Sequence, residues 1–180
     1  MRAQESVVAD PALPDQLDLP EMPDLPGEVV DIAATPFYDS LVNVNSGKCL
    51  DVPGKSKAEG VQVQQWTCNG GKNQKWMLKY ADTRLSLKMY YVVNENSGQC
   101  LSVKGGSSSD GTPIIQWPCK AGDTAEYFVP LKVKSSTGTW FVLWNAKTGK
   151  YPQVNGQSQE NGAKVSQWKG QESKHFYWHR

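Results

Sequence analysis

Residues 43–76 read NVNSGKCLDVPGKSKAEGVQVQQWTCNGGKNQKW, and the rest of the chain is organised around them. The stretch holds a turn, two cysteines, a carboxylate at Asp51, a tryptophan at Trp66 and an Asn-Gln pair. It recurs twice. NSGKCLDV at 45–52 returns as NSGQCLSV at 96–103 and as KTGKYPQV at 147–154. VQQWTC at 63–68 returns as IQWPC at 115–119 and as VSQWKG at 165–170. Trp66, Trp117 and Trp168 are each 51 residues apart, and so are Cys49, Cys100 and Tyr151. Three copies at one period signify a repeat architecture, in which each unit buries its apolar face against its neighbours.

Between these landmarks, from Leu41 onward, short runs of Val, Ile, Leu, Trp and Tyr alternate with polar residues. Asn-Gly, Ser-Gly, Gly-Gly and Thr-Gly turns interrupt them. VQVQQW and TWFVLW suit strands, and no run of ten residues carries a helical period. Many short strands in three equal blocks predict an all-β body closed on itself, since closure removes the unpaired edges. The blocks fall at about 41–90, 91–141 and 142–180.

Residues 1–40 differ in kind. They hold six of the eleven prolines, and nine acids against one base (Arg2). Residues 41–180 hold nine acids against eighteen bases, so a net charge of +1 conceals an acidic arm on a basic body. Proline lacks an amide donor and disfavours helix before it, so this segment is expected to be extended or disordered. Leu13, Leu17, Leu19, Met22 and Leu25 recur among its acids. The arm therefore reads either as a solvated linker or as a segment that docks on the basic body or on another protein.

The four cysteines fall as one pair in each of the first two repeats, Cys49 with Cys68 and Cys100 with Cys119. The third repeat loses both members together, with Tyr151 and Gly170 in their places. Joint loss is what a bonded pair would show, and each bridge would restrict the unfolded chain by about 3 kcal/mol. The alternative is four reduced thiols in a cytosolic barrel. Bridges imply an oxidising compartment. With no membrane-span-length apolar run and no signal-peptide core at the N-terminus, the expectation is a mature, secreted chain that does not insert in membranes.

The repeated CLDV…QxW…C…NQxW pattern resembles the ricin B-chain-like lectin domain, and the likeness covers about residues 41–180. It implies a β-trefoil of three subdomains preceded by the proline- and acid-rich arm. In that family each repeat ends in a Gln-x-Trp with a core tryptophan. Here those positions are Gln74-Lys75-Trp76, Glu126-Tyr127-Phe128 and Phe176-Tyr177-Trp178, and only the first is intact.

A pyranose presents a patch of C–H groups on one face and a fan of hydroxyls at its rim. A site for it needs a flat aromatic with oriented polar groups beside it. Asp51 is an acceptor able to take two adjacent hydroxyl protons. Trp66 offers a rigid platform. Asn73 can donate and accept, Gln74 can brace Asp51 or reach a hydroxyl, and Gln64 supplies a further polar contact. Taken singly, Asp51 and Asn73 read equally as turn residues and Trp66 as core. The resemblance implies sugar-binding roles for Asp51, Gln64, Trp66, Asn73 and Gln74.

The second repeat carries Ser102, Ile115 and Ala125 in place of Asp51, Gln64 and Asn73, and is expected to be structural. The third carries Gln153, Ser166, Trp168 and His175, a candidate second sugar site. The expected partner is a glycan, of galactose type or of xylose/arabinose type, held with a dissociation constant near millimolar, roughly −4 kcal/mol.

Catalysis is not expected. His175 and His179 lie in a segment that reads as the last strand, which does not suit a shared metal, and no triad signature is present. No second acid in the repeat pattern pairs with Asp51 as a glycosidase would need. The lysines are scattered over turns (Lys48, Lys55, Lys57, Lys72, Lys104, Lys120, Lys147, Lys150), which argues against nucleic acid. No cofactor is expected. The rival reading is an adaptor subunit of a secreted toxin or adhesin complex, with a degenerate trefoil and an arm that docks into a partner.

Overall fold

A computed structural model describes residues 37–133, 140–170 and 174–180, apart from the side chain of His175. Most of the acidic arm, residues 1–36, lies outside the described residues. The described residues form strands joined by turns and single 3-10 turns, and no α-helix occurs among them.

The first repeat contributes β1 (Asp39–Ser40), β2 (Val42–Asn43), β3 (Cys49–Asp51), β4 (Gln64–Trp66) and β5 (Lys75–Arg84). The second contributes β6 (Leu87–Asn94), β7 (Cys100–Val103), β8 (Ile114–Trp117) and β9 (Phe128–Val133). The third contributes β10 (Trp140–Asn145), β11 (Tyr151–Val154), β12 (Val165–Trp168) and β13 (Trp178–His179). Strand pairing thus begins at Asp39, two residues inside the stretch read as arm.

The pairing closes a barrel. β1 pairs with β5, and β5, β6, β9, β10 and β13 then follow in hydrogen-bonded order. β13 returns to β2, with Trp178 opposite Asn43 and His179 opposite Val42. Since β1 and β2 flank the single residue Leu41, one extended segment is bonded on both sides and the ring has no free edge. Three further hairpins, β3–β4, β7–β8 and β11–β12, cap this ring. Six barrel strands and three capping hairpins, one set per repeat, constitute a β-trefoil.

The interior follows the 51-residue period. Val52, Val103 and Val154 are buried, as are Val63, Ile114 and Val165, and Leu41, Val92 and Leu143. Trp76, Phe128 and Trp178, the aromatic ends of the three repeats, join the same cluster. This apolar burial is the main term holding the repeats together, because no single hairpin can hide its own face.

A polar staple repeats with the same symmetry. Gln65 is fully buried; its Nε2 donates to the carbonyls of Ser158 and Glu160, and its Oε1 accepts from Ser46. Gln116 does the same with Ser56, Ala58 and Ser97, and Gln167 with Ser107, Ser109 and Thr148. Each glutamine therefore binds its own repeat to the connection of the repeat before it, with the third repeat preceding the first. Every polar atom of these buried amides is satisfied, which is what makes the burial tolerable.

Both expected bridges are present, Cys49–Cys68 and Cys100–Cys119. In the third repeat the Tyr151 ring fills the bridge's space: a Cβ added to Gly170 would run into it. The C-terminal stretch differs from the expected strand. Lys174–Phe176 forms a 3-10 turn, and only Trp178–His179 is strand. The same turn precedes the barrel strand at Lys72–Gln74 and Thr124–Glu126, so this geometry belongs to the repeat.

Candidate functional site

The β3–β4 hairpin sets the first-repeat residues together through its register. Asp51 lies opposite Gln64 and Cys49 opposite Trp66. Side chains alternate along a strand, so Asp51, Gln64 and Trp66 share one face while Leu50 and Gln65 point into the fold. The 3-10 turn at Lys72–Gln74 brings Asn73 and Gln74 to the same place.

Asp51 is the hub of this group. Its Oδ1 accepts from Gln64 Nε2 at 2.9 Å; its Oδ2 accepts from Asn73 Nδ2 at 2.8 Å and Gln74 Nε2 at 3.1 Å. Gln74 Nε2 also donates to the Thr67 carbonyl, and Asn73 Nδ2 to that of Val52. A carboxylate has about four acceptor sites, so three amide donors leave roughly one for a ligand hydroxyl. The five expected residues thus converge, with one difference of detail. Gln64 and Asn73, expected to meet the ligand, turn their amides onto Asp51, as Gln74 does. In a buried site the carboxylate attracts every amide within reach.

Burial pushes the Asp51 carboxyl up from its ordinary range; the amides of Gln64, Gln74 and Asn73 and the Lys164 ammonium oppose it. Trp66 is 41% exposed, its indole open to solvent beside this polar cluster.

Two neighbours come from the third repeat. Lys164 Nζ donates to Gln64 Oε1 at 3.3 Å, so a cation acts on Asp51 through an amide. Gly162 lies beside Trp66, where an added Cβ would meet the ring at 3.8 Å. Gly60 has the same relation to Trp117, and Gly111 to Trp168. The 51-residue spacing of these glycines is visible in the sequence. Their pairing with the tryptophan of the next repeat is not, because it arises from closure of the ring.

The third-repeat set is only partly assembled. Gln153 lies opposite Ser166, with Trp168 on the same hairpin. Ser166 is buried and its hydroxyl accepts from Gln62 Nε2 at 3.4 Å. Trp168 is half-buried and its indole N–H donates to Asn155. The side chain of His175 lies outside the described ones.

The second repeat contains an open cleft of about 500 Å³ beside Trp117, which is 42% exposed. Ser102, Ile115 and Ala125 occupy the positions of Asp51, Gln64 and Asn73, as expected, and all three are buried. Glu126 stands in Gln74's place: its Oε2 accepts from Lys120 N at 2.7 Å, as Gln74 Oε1 accepts from Asn69 N. Its Oε1 is buried with no donor, and burial pushes its carboxyl up to about 7. Among the described residues no group of His, Cys, Asp and Glu could hold a metal ion, and no helix is long and apolar enough to cross a membrane.

Comparison with known proteins agrees with this fold. The family described as ricin-type beta-trefoil lectin domain-like matches residues 33–117. A designed threefold-symmetric protein, ThreeFoil, is 32% identical, with a TM-score of 0.69 over 78% of this chain and 95% of its own. An exo-β-1,3-galactanase from Clostridium thermocellum is 30% identical, with a TM-score of 0.70. That match covers 88% of this chain and only 30% of the enzyme. The Rhizoctonia solani agglutinin shares the fold at 21% identity, with a TM-score of 0.67 over 83% of this chain and 96% of its own.

Proposed function

Because the chain belongs to the ricin-type β-trefoil lectin family, we propose that it is a non-catalytic carbohydrate-binding module with its principal site in the first repeat. One observation carries the assignment: Asp51, held by three amides, shares a hairpin face with the exposed Trp66. The ring of a pyranose would stack on the indole while one of its hydroxyls donates to Asp51. Asp51 needs its three braces because an acceptor that rotated would lose the direction from which a hydroxyl must approach.

A single site of this kind gives a dissociation constant near millimolar, and tighter attachment to a glycan surface would come from several copies acting together. The two bridges favour an oxidising, extracellular setting. Since the galactanase extends far beyond the matched region, its activity is not carried over to this chain.

A glycan array probed with wild-type and Asp51→Ala protein tests the reading, with galactose-type against xylose- and arabinose-type glycans as the comparison. Equal signals from both proteins would remove the first-repeat site. A second reading is favoured by the loss of the carboxylate at Ser102 and Gln153 and by the acidic residues 1–40. It makes the trefoil a docking subunit of a secreted complex, with residues 1–40 engaging a partner protein. Capture of one partner by the full chain, lost on removal of residues 1–36 and coupled with an empty array, would decide for it.

A further inference from the structure

Where the first-repeat site centres on a carboxylate, the cleft of the second repeat is lined by two lysines and one carboxylate. Ser102 takes the place of the Asp51 carboxylate, while Lys104 stands at the position of Pro53 and Asn155. The second change comes from the neighbouring turn. Asn96 Nδ2 ties the first-repeat connection by donating to the Lys55 carbonyl at 2.9 Å, and Asn45 ties the third by donating to the Gln157 carbonyl at 3.2 Å. The equivalent residue at the second repeat is Lys147.

Its ammonium passes over Gly106, the counterpart of Lys55 and Gln157, where an added Cβ would collide with Nζ. Lys55 and Gln157 hold the same left-handed φ, 55° and 54° against 60° at Gly106, so glycine there serves the passage of the lysine more than the backbone. Both lysines line the cleft and are exposed. Asp123, the acid at its edge, spends Oδ1 on the N–H of Ala125 as the cap of the 3-10 turn. Two lysines therefore line the cleft against one carboxylate, one oxygen of which already accepts from a backbone amide. Trp117 supplies an apolar face, and the volume of about 500 Å³ falls within the range of small-molecule sites, ~300–1,000 Å³.

We propose that this cleft binds a saccharide bearing an anionic group, a sulfate or a carboxylate, with Lys104 and Lys147 on the anion and Trp117 against the ring. The site lacks an acceptor like Asp51, so it discriminates by charge and not by the arrangement of neutral hydroxyls. It does not depend on the first-repeat site, and the two fail separately.

The test follows the indole N–H signals of the tryptophans by NMR, with Trp117 assigned through Trp117→Phe. Glucuronic acid, galactose 6-sulfate, galactose and sodium sulfate are titrated at matched ionic strength. One or both acidic sugars should move the Trp117 signal at millimolar concentration, and the responding sugar identifies the anion. The double variant Lys104→Gln/Lys147→Gln should weaken that response about tenfold, while Asp51→Ala leaves it unchanged. The proposal is overturned if neither acidic sugar moves Trp117, if galactose or sodium sulfate moves it equally, or if the double variant responds as wild type does. Both lysines are exposed, and an otherwise unchanged spectrum verifies that the double variant is folded.

Discussion

Asn73 Nδ2 donates to Asp51 Oδ2 at 2.8 Å, and Gly71 leaves room for it: an added Cβ would lie 2.7 Å from Asn73 Oδ1. Gly71 has an ordinary φ of −66°, so alanine there meets no backbone strain. Gly71→Ala should push Asn73 off the carboxylate, lowering sugar affinity about fivefold or more and costing about 1 kcal/mol of stability. Calorimetric titration alongside urea unfolding reads both, and wild-type affinity would show that Asn73 does not orient Asp51.

Asp51→Asn keeps the shape and removes the charge that three amides surround. Binding of a neutral sugar should fall by about tenfold or more, because an amide oxygen replaces a charged acceptor. The pH dependence has a definite sign. Burial raises the Asp51 carboxyl, so protonation on acidification begins above the ordinary aspartate range and affinity falls there. Stability moves the other way: a raised acid contributes most when protonated, below its unfolded value, and loses that contribution as pH rises through its folded value. Affinity measured between neutral and acid pH would contradict this if it rose.

Glu126 provides a sharper titration, since its carboxyl sits at about 7 against an ordinary value of 4.5. Its contribution to stability is complete below 4.5 and is lost as pH rises through about 7. Glu126→Gln restores the residue that the first repeat has and removes the buried charge. The variant should be more stable than wild type at pH 8, by on the order of 2 kcal/mol, and show a flatter stability profile between pH 5 and pH 8. Urea unfolding across that range checks it, and parallel profiles would mean that Glu126 is not the titrating group.

Removing the first bridge with Cys49→Ala/Cys68→Ala opens a loop with a sequence separation of 19. A loss of about 3 kcal/mol is expected, as for loops of similar length. The third repeat shows that the fold tolerates an unbridged hairpin when an aromatic ring fills the space, as Tyr151 does over Gly170. The double variant should therefore fold with unchanged far-ultraviolet dichroism, at a lower urea midpoint.

The threefold closed β body, the two bridges and the loss of a third were legible because each is written as a residue at a fixed spacing, and the family resemblance made that body a β-trefoil. Convergence of Asp51 with Gln64, Trp66, Asn73 and Gln74 was what the family resemblance implied, and one hairpin with the turn after it is enough to bring them together. The inward direction of the Gln64 and Asn73 amides was not, because it depends on how many donors a buried carboxylate gathers. The second repeat, expected to be structural on the loss of Asp51, Gln64 and Asn73 equivalents, nevertheless holds an open cleft. Lost hydrogen-bonding residues do not close a space whose walls include Gly60, Gly105, Gly106 and Trp117.

Local spacing, then, dictates three copies of one hairpin unit and the two bridges, because those contacts lie close along the chain. Ring closure is responsible for what crosses between copies: Lys164 on Gln64, Gly162 beside Trp66, the Gln65 staple into residues 158–160, and Lys147 over Gly106. These partners are separated along the chain by many residues, and one linear period is compatible with several ways of arranging neighbours. The closed barrel, with β13 returning to β2, selects a single arrangement, since any other leaves strand edges and apolar faces exposed to water.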